Sequence, residues 1–517
     1  MTLALQPAER HDLRVHAAAR PHHPAIVCDR ATLTYAQLEA LANQLAHTLR
    51  GLGLQRGDHI ASLLGNGPEA LALAWASYRS GLYLTPMSTA LTAAELRYLI
   101  DNSDARAVFV EAAFADTARH LPTGDATPRR WLAINGDIPG FAPLNALLRD
   151  APSTPAEHEP PGALMVYTSG TTGAPKGVIR PLLPADYAGT PPFAADLLTL
   201  FPIGGADVRY LSTAPLYHAA PLRFALAVTA GGGTVHVMSR FDAEDALQIL
   251  ARERITHSQW VPAMFQRLLA LPAEQRQRFH APDHRWAVHA AAPCPAPVKR
   301  AMIDWWGPIL SEYYSGSEGV GLTTLDSRQW LAHPGSVGLT VKGVLHIVDD
   351  AGHEVPTGTT GLVCFSGISP FAYYKAPEKT AARTHPLGWQ TFGDIGHVDA
   401  DGFLYLTDRQ DDMIISGGVN VYPQEIEQAL MALHGVLDCA VVGVPDEQFG
   451  ERPEAFVSLQ AEAFGDDWQA ALQQHCEQQL GRIKRPAAFH RLAEVPRSPT
   501  GKVLRRVLRD TLAIDAA

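Results

Sequence analysis

Residues 165–178 read Met165-Val-Tyr-Thr-Ser-Gly-Thr-Thr-Gly-Ala-Pro-Lys-Gly-Val178. An apolar run that reads as a buried strand ends at Tyr167. The chain then gathers Thr168, Ser169, Thr171 and Thr172 with Gly170, Gly173 and Lys176. The glycines allow backbone conformations that a Cβ resists, so N–H groups can converge on one anion. The hydroxyls donate hydrogen bonds and the lysine adds a point charge. That chemistry suits a polyphosphate. The stretch is not a Walker A loop, which needs glycine directly before the lysine and Ser/Thr directly after; here Pro175 precedes and Gly177 follows. Two carboxylates fit a nucleotide as well. Asp394, fourteen residues before Asp408-Arg409, can accept from both vicinal hydroxyls of a ribose, and Arg409 can reach the same ribose or a phosphate. Glu318, in Glu312-Tyr-Tyr-Ser-Gly-Ser-Glu318, is a sensible ligand for a hard cation bridging phosphates.

The loop resembles, at every specified position from Tyr167 to Gly177, the phosphate loop Y-T-S-G-T-T-G-x-P-K-G of adenylate-forming enzymes. That group includes acyl-CoA synthetases, luciferases and peptide-synthetase adenylation domains. The resemblance runs in order through roughly residues 25–510. It implies that Thr168, Ser169, Gly170, Thr171, Thr172, Gly173 and Lys176 bind ATP phosphates, and that Asp394 and Arg409 hold the ribose. It implies that Tyr314 stacks on adenine, Ser317 contacts the α-phosphate and Glu318 holds Mg²⁺. Ala290-Ala-Ala-Pro293 is similar to the usual G-G-A-P segment, putting Ala291 and Ala292 beside the adenine. Ala214-Pro-Leu-Tyr-His-Ala-Ala-Pro221 resembles the P-x-(F/Y)-H loop, making His218 the lining of the carboxylate end of an acyl tunnel next to Tyr217, Gly319 and Trp260. Pro496-Arg-Ser-Pro-Thr-Gly-Lys502 matches the motif that carries the adenylation lysine. Asp411 falls on the hinge position, and Ser416–Pro423, with Gly417, Gly418 and Tyr422, matches the loop lining the CoA channel. The departures are Ser315 for glycine, Ser317 for threonine, Phe392 for threonine, and alanines for the two glycines.

The elements that must position these residues follow from periodicity. Leu38, Leu41, Leu45 and Leu49 share a helical face from Thr34 to about Arg50, closed by Gly51 and Gly53. Helices over 69–79 and 93–100 alternate with strands at 59–64 and 107–110, which predicts a mostly parallel sheet covered by helices. A second pattern of this kind spans 207–261, so two sheets are expected in a large N-terminal domain. Short strands between turns from Ser336 to Asp408 read as a β-rich subdomain. After Arg409 the pattern predicts a small mobile α+β domain, giving domains 1–409 and 410–517. One of its helices sets Trp468, Leu472 and Cys476 on one face.

At 517 residues the chain exceeds one core. Its net charge of −11 gives no footprint for nucleic acid. Five scattered cysteines argue against a disulfide scaffold or zinc site. Arg79 interrupts the best apolar run, and no signal-peptide core is visible, so a cytoplasmic protein without a transmembrane segment is expected. A homodimer is left open. The expected partners are ATP, Mg²⁺, CoA and a small carboxylic acid. The expected reaction is two-step: acyl-AMP formation with pyrophosphate release, then transfer to CoA. No carrier domain follows within the 517 residues, which favours CoA over loading of a separate carrier protein. The small residues Ala219, Ala220, Gly319 and Gly321 suggest a long or bulky apolar acid of fatty or steroid type, with a small aryl acid as the alternative.

Overall fold

The computed structural model describes residues 11–119, 121, 129–168, 175–409, 412–417, 419–446, 448–460, 463–465, 467–497 and 501–515. Two sheets organise the first three-quarters. In the smaller, six strands run in the order Ala142–Pro143, Arg130–Ile134, Ala105–Glu111, His59–Leu63, Tyr83–Pro86 and Ala163–Leu164, all parallel. Parallel strands carry helices on both faces and must be apolar throughout; Ala107, Val108, Phe109 and Val110 are each fully buried. The larger sheet has nine strands. Its middle is parallel, from Pro24–Val27 through Thr234–Val237, Arg209–Ser212, His257–Trp260 and Trp286–His289 to Leu310–Tyr314.

Helices start where the sequence marks them. Thr34 caps Tyr35–Gly51 and Gln37 returns the bond, closing a capping box; Thr92 and Glu95 do the same for Ala93–Asn102. Arg79, which breaks the apolar run of Pro68–Arg79, is itself buried. Its guanidinium donates to Glu39 (2.6 Å) and Asn43 (2.8 Å) on the neighbouring helix. No described helix is long and apolar enough to cross a membrane. The five cysteines are all unpaired.

Pro24–Val27 and Thr32–Thr34 join the larger sheet. One placement differs from the expectation. Leu339–Lys342 also adds to that sheet, against Leu322–Asp326, so the β-rich part begins later than Ser336. It is a four-stranded antiparallel sheet from Val344–Val348 to Leu404–Arg409. Beyond it, five strands from Ile414–Ser416 to Phe489–Arg491 carry helices Pro423–Met431, Trp468–Gln479 and Arg505–Asp515. Leu472 and Cys476 are buried there with Trp468 against them.

Trp260, expected on the acyl wall, is core. Its ring packs on Phe241, Phe265 and Trp306, and its indole N–H donates to Ser258 (2.6 Å). Met264 and Phe265 lie in the same cluster. Successive strand residues face opposite ways, so Gln259, bonded by Tyr210 (3.0 Å), takes the other face. Trp260→Ala is therefore expected to lower unfolding free energy by about 3–5 kcal/mol while leaving the preference among acids unchanged, checked by denaturant titration beside an acid panel.

Candidate active site

In the larger sheet the parallel strands ending at Ser212, Trp260 and His289 finish on one edge with Tyr314. The loops leaving those ends carry His218, Val261, Ala290–Pro293 and Ser315–Glu318. Open α/β sheets bind ligands in the crevice outside such ends.

Three groups meet in this crevice. The Tyr314 hydroxyl donates to Asp394, and Arg409 Nε lies 3.2 Å from the other oxygen of that carboxylate. Asp394 and Arg409 face each other across paired strands. The Tyr373 hydroxyl donates to Glu318 (2.8 Å), and Lys176 Nζ lies 5.3 Å above the Tyr373 ring. Burial and the adjacent carboxylate push the Tyr373 phenol up, so it stays a donor. Thr168 and Lys176 pair across the two strands that flank the phosphate loop. Phe392 stands edge-on to Tyr314 (5.4 Å, 81°) and so close to Gly316 that a Cβ there would lie 2.6 Å from its ring. The bulky residue that departs from the usual threonine is thus matched by Gly316. Ser315 costs nothing comparable: its hydroxyl donates to the Gly321 carbonyl (2.7 Å).

Lys502 is the third group. Burial and the Arg409 charge lower its ammonium to about 8, with Glu318 and Asp394 opposing that fall. Arg497 holds its loop in place. The guanidinium grips Asp438 in a fork (2.6 and 2.8 Å) and donates to the Gly501 carbonyl (2.7 Å). Gly501 has φ +79°, and a Cβ there would lie 3.6 Å from Ala263 and 3.8 Å from Val261, so the loop reaches the crevice through a turn that favours glycine. His218 begins the helix Ala219–Ala230. Burial, then the Lys502 charge, lower its imidazole to about 4, and its Nε2 is buried without a partner among the described residues. A neutral imidazole with an unused nitrogen can bond an oxygen of a bound acid.

The structure thus gathers Lys176, His218, Tyr314, Glu318, Asp394, Arg409 and Lys502. Tyr217 lies beside His218, the rings tilted at 60° with centroids 4.6 Å apart. Gly417 sits apart, next to Phe449 and Ile483, and Tyr422 precedes the helix Pro423–Met431. Ser169, Gly170, Thr171, Thr172, Gly173, Asp411 and Gly418 lie outside the described residues. Ala291 is exposed and has φ +78°, a left-handed conformation that suits the glycine it replaces. Sequence reasoning missed Tyr373, Arg497 and Asp438. Arg497 belongs to the lysine motif, but its partner is 59 residues away and nothing local marks it. The donors near Glu318 are hard oxygens: one carboxylate tied by Tyr373 through a single oxygen, and the nearby Ser317 hydroxyl. That set fits Mg²⁺, which takes one or two carboxylates and fills its shell with water and phosphate oxygens.

Comparison with known proteins places the family. The family described as AMP-binding enzyme matches residues 13–375, and the AMP-binding enzyme C-terminal domain matches residues 425–502. A sulfoacetate–CoA ligase of Cupriavidus necator is 35% identical over 95% of this chain and 96% of its own length. A fatty acid–[acyl-carrier-protein] ligase, ScoC, of Streptomyces coeruleorubidus is 32% identical over 97% and 96%. The crystal structure of ATP-bound MatB from Rhodopseudomonas palustris superposes with a TM-score of 0.81 at 28% identity, covering 97% of this chain and 99% of that one.

A left-handed L-residue costs about 1 kcal/mol. Ala291→Gly is expected to raise stability by a comparable amount, seen as a higher denaturant midpoint; a lower midpoint would show that the alanine Cβ is packed, not strained.

Proposed function

The chain belongs to the AMP-binding enzyme family and is an acid–CoA ligase, and from that premise we propose how its residues divide the work. The observation that carries the reading is Lys502 inside the crevice with Arg409, Glu318 and Asp394. Asp394 accepts from the ribose hydroxyls. Tyr314 holds that carboxylate and covers the adenine. A carboxylate oxygen of the acid, turned by His218, attacks the α-phosphorus; the new O–P bond forms as the bond to pyrophosphate breaks. Lys502 and the Ser317 hydroxyl stabilise charge on the phosphate oxygens, which is where most of the catalysis of such transfers usually comes from. Mg²⁺ bound by Glu318 would neutralise phosphate charge. In the second step the CoA sulfur attacks the acyl carbonyl and AMP leaves. No side chain of the chain is acylated.

The second step needs a narrow channel, for which we propose Gly417, Gly418 and Tyr422. Residues 410–517 swing at Asp411, withdrawing Lys502 and presenting this loop. Loop residues at a hinge need not be small to absorb such a change. The thiol of this second step is CoA. A long or bulky apolar acid would be accommodated by Ala219, Ala220 and Gly319. The relatives do not select it, since one acts on sulfoacetate and another on fatty acid.

The half-reactions separate this reading from others. Lys502→Ala is expected to slow acyl-AMP formation about 10²–10³-fold, measured as acid-dependent pyrophosphate release, while thioester formation from supplied acyl-AMP and CoA persists. Equal loss of both steps would remove the assigned role. The pH profile provides a second check. Lys502 is a cation below about 8 and neutral above it. The kcat/KM for ATP, which reports free-enzyme groups, should therefore fall about tenfold per pH unit on the alkaline side. His218, neutral above about 4, should add no inflection between pH 5 and 9.

A further inference from the structure

Two arginines interrupt the wall of small residues that would line an apolar channel. Arg180 follows the strand Lys176–Ile179. It donates to the carbonyls of Glu318 (2.7 Å), Gly319 (2.9 Å) and Ser369 (2.5 Å). Its guanidinium lies so near Gly319 that a Cβ there would approach Nη2 to 3.3 Å. Arg223 is on the helix that His218 begins, one turn beyond Ala219. Residues four apart share a helical face, and Ala219 packs into the cluster that holds Tyr314 and Phe392. Arg223 therefore continues the face turned toward the crevice, between the buried Leu222 and Phe224.

Arg223 is only partly exposed, yet among the described residues it has no hydrogen-bond or ion-pair partner. The ionisable groups it feels are the Tyr313 phenol and Asp196, and it disfavours the like charge of Arg180. Asp196 acts on both arginines and also accepts from Lys342. Burial works against the cation, and a guanidinium does not escape that cost by losing its proton. One carboxylate set against three cations leaves positive charge in excess, which is expensive where it is partly desolvated, so this arrangement is one that a bound anion would complete.

We propose that Arg223, backed by the positive field of Arg180, receives a second anionic group on the acid substrate, a carboxylate or sulfonate at the end remote from the reacting carboxylate. This rests on the ligase reading and replaces the apolar acid with a doubly acidic one. Five helical residues after His218 amount to a rise of about 7.5 Å, so a spacer of a few carbons joins the two acidic groups. A planar guanidinium suits either group, because it presents paired donors to their oxygens.

The test is a panel on the full chain with ATP, Mg²⁺ and CoA, reading kcat/KM by AMP and thioester formation. Malonate, succinate, glutarate and sulfoacetate are set against propanoate, butanoate, octanoate and benzoate. At least one doubly acidic compound is expected to exceed every singly acidic one by about 100-fold. Arg223→Met should lower the ratio of doubly to singly acidic turnover by about 100-fold, and Arg223→Lys should recover part of it. Preference for octanoate or benzoate, or a ratio unmoved in Arg223→Met, would overturn the proposal and leave the ligase standing. The wild-type panel decides even where the methionine variant fails to fold. Absence of thioester from every acid would instead bring down the ligase reading, and the proposal with it.

Discussion

A lysine held beside an arginine in a desolvated crevice persists only while carboxylates compensate it, and Lys502 depends on Glu318 and Asp394 in this way. Each carboxylate is in turn fixed by a tyrosine, Tyr373 for Glu318 and Tyr314 for Asp394. Both hydroxyls remain donors because burial and the adjacent charge keep them protonated. The result is a crevice of fixed donors and paired charges; in the proposed reaction it would need little reorganisation as phosphate charge develops. The sheets serve this arrangement by ending the strands at Ser212, Trp260, His289 and Tyr314 along one edge.

Lys502 also ties the site to the last part of the chain. Its loop is held by Arg497 on Asp438, and Gly501 lies close to Val261 and Ala263. In the proposed mechanism, the cation that would neutralise phosphate in one half-reaction is thus mounted on the unit proposed to leave for the other. Its contacts with the crevice are few side chains and one glycine turn. The fork to Asp438 lies within the departing unit, so that movement need not break it.

The helix and strand pattern was legible because it is local. Thr34 and Thr92 mark helix starts, and unbroken apolar runs mark parallel strands. Sheet membership was less so: Pro24–Val27 and Leu339–Lys342 pair with strands far along the chain or on an unexpected sheet, and nothing in four residues specifies a distant partner. Trp260 shows the same limit at the site. A large apolar residue near a binding loop reads as a wall, yet strand alternation decides which way it faces, and here it faces Phe265 and Trp306. Of the residues the fold gathers in the crevice, those in dense motifs were readable. Tyr373 and Asp438 were not, because their work depends on partners brought together by folding. The departures from the usual motif divide in kind: Phe392 is matched by Gly316, whereas Ala291 keeps a left-handed backbone without the glycine that relieves it.

The cations of the crevice fall into two sorts, and the difference bears on what the enzyme binds. Lys502 and Arg409 have Glu318 and Asp394 near them, so the empty site is close to balanced and a nucleotide enters by exchange with water and counter-ions. Arg223 has no such partner among the described residues, and Asp196, the acid it feels, is engaged by Lys342. In sequence Arg223 is a single charge on an apolar helix, the pattern of an ordinary surface residue. Its meaning comes from the fold, which turns that helix face toward Tyr314 and sets Arg180 near it. Two like charges kept near each other, sharing Asp196 with Lys342, work against stability unless a ligand supplies a further anion. The apolar expectation arose from counting small residues around His218; space alone does not define an acid when the next helical turn carries a guanidinium that shares its one acid with two other cations.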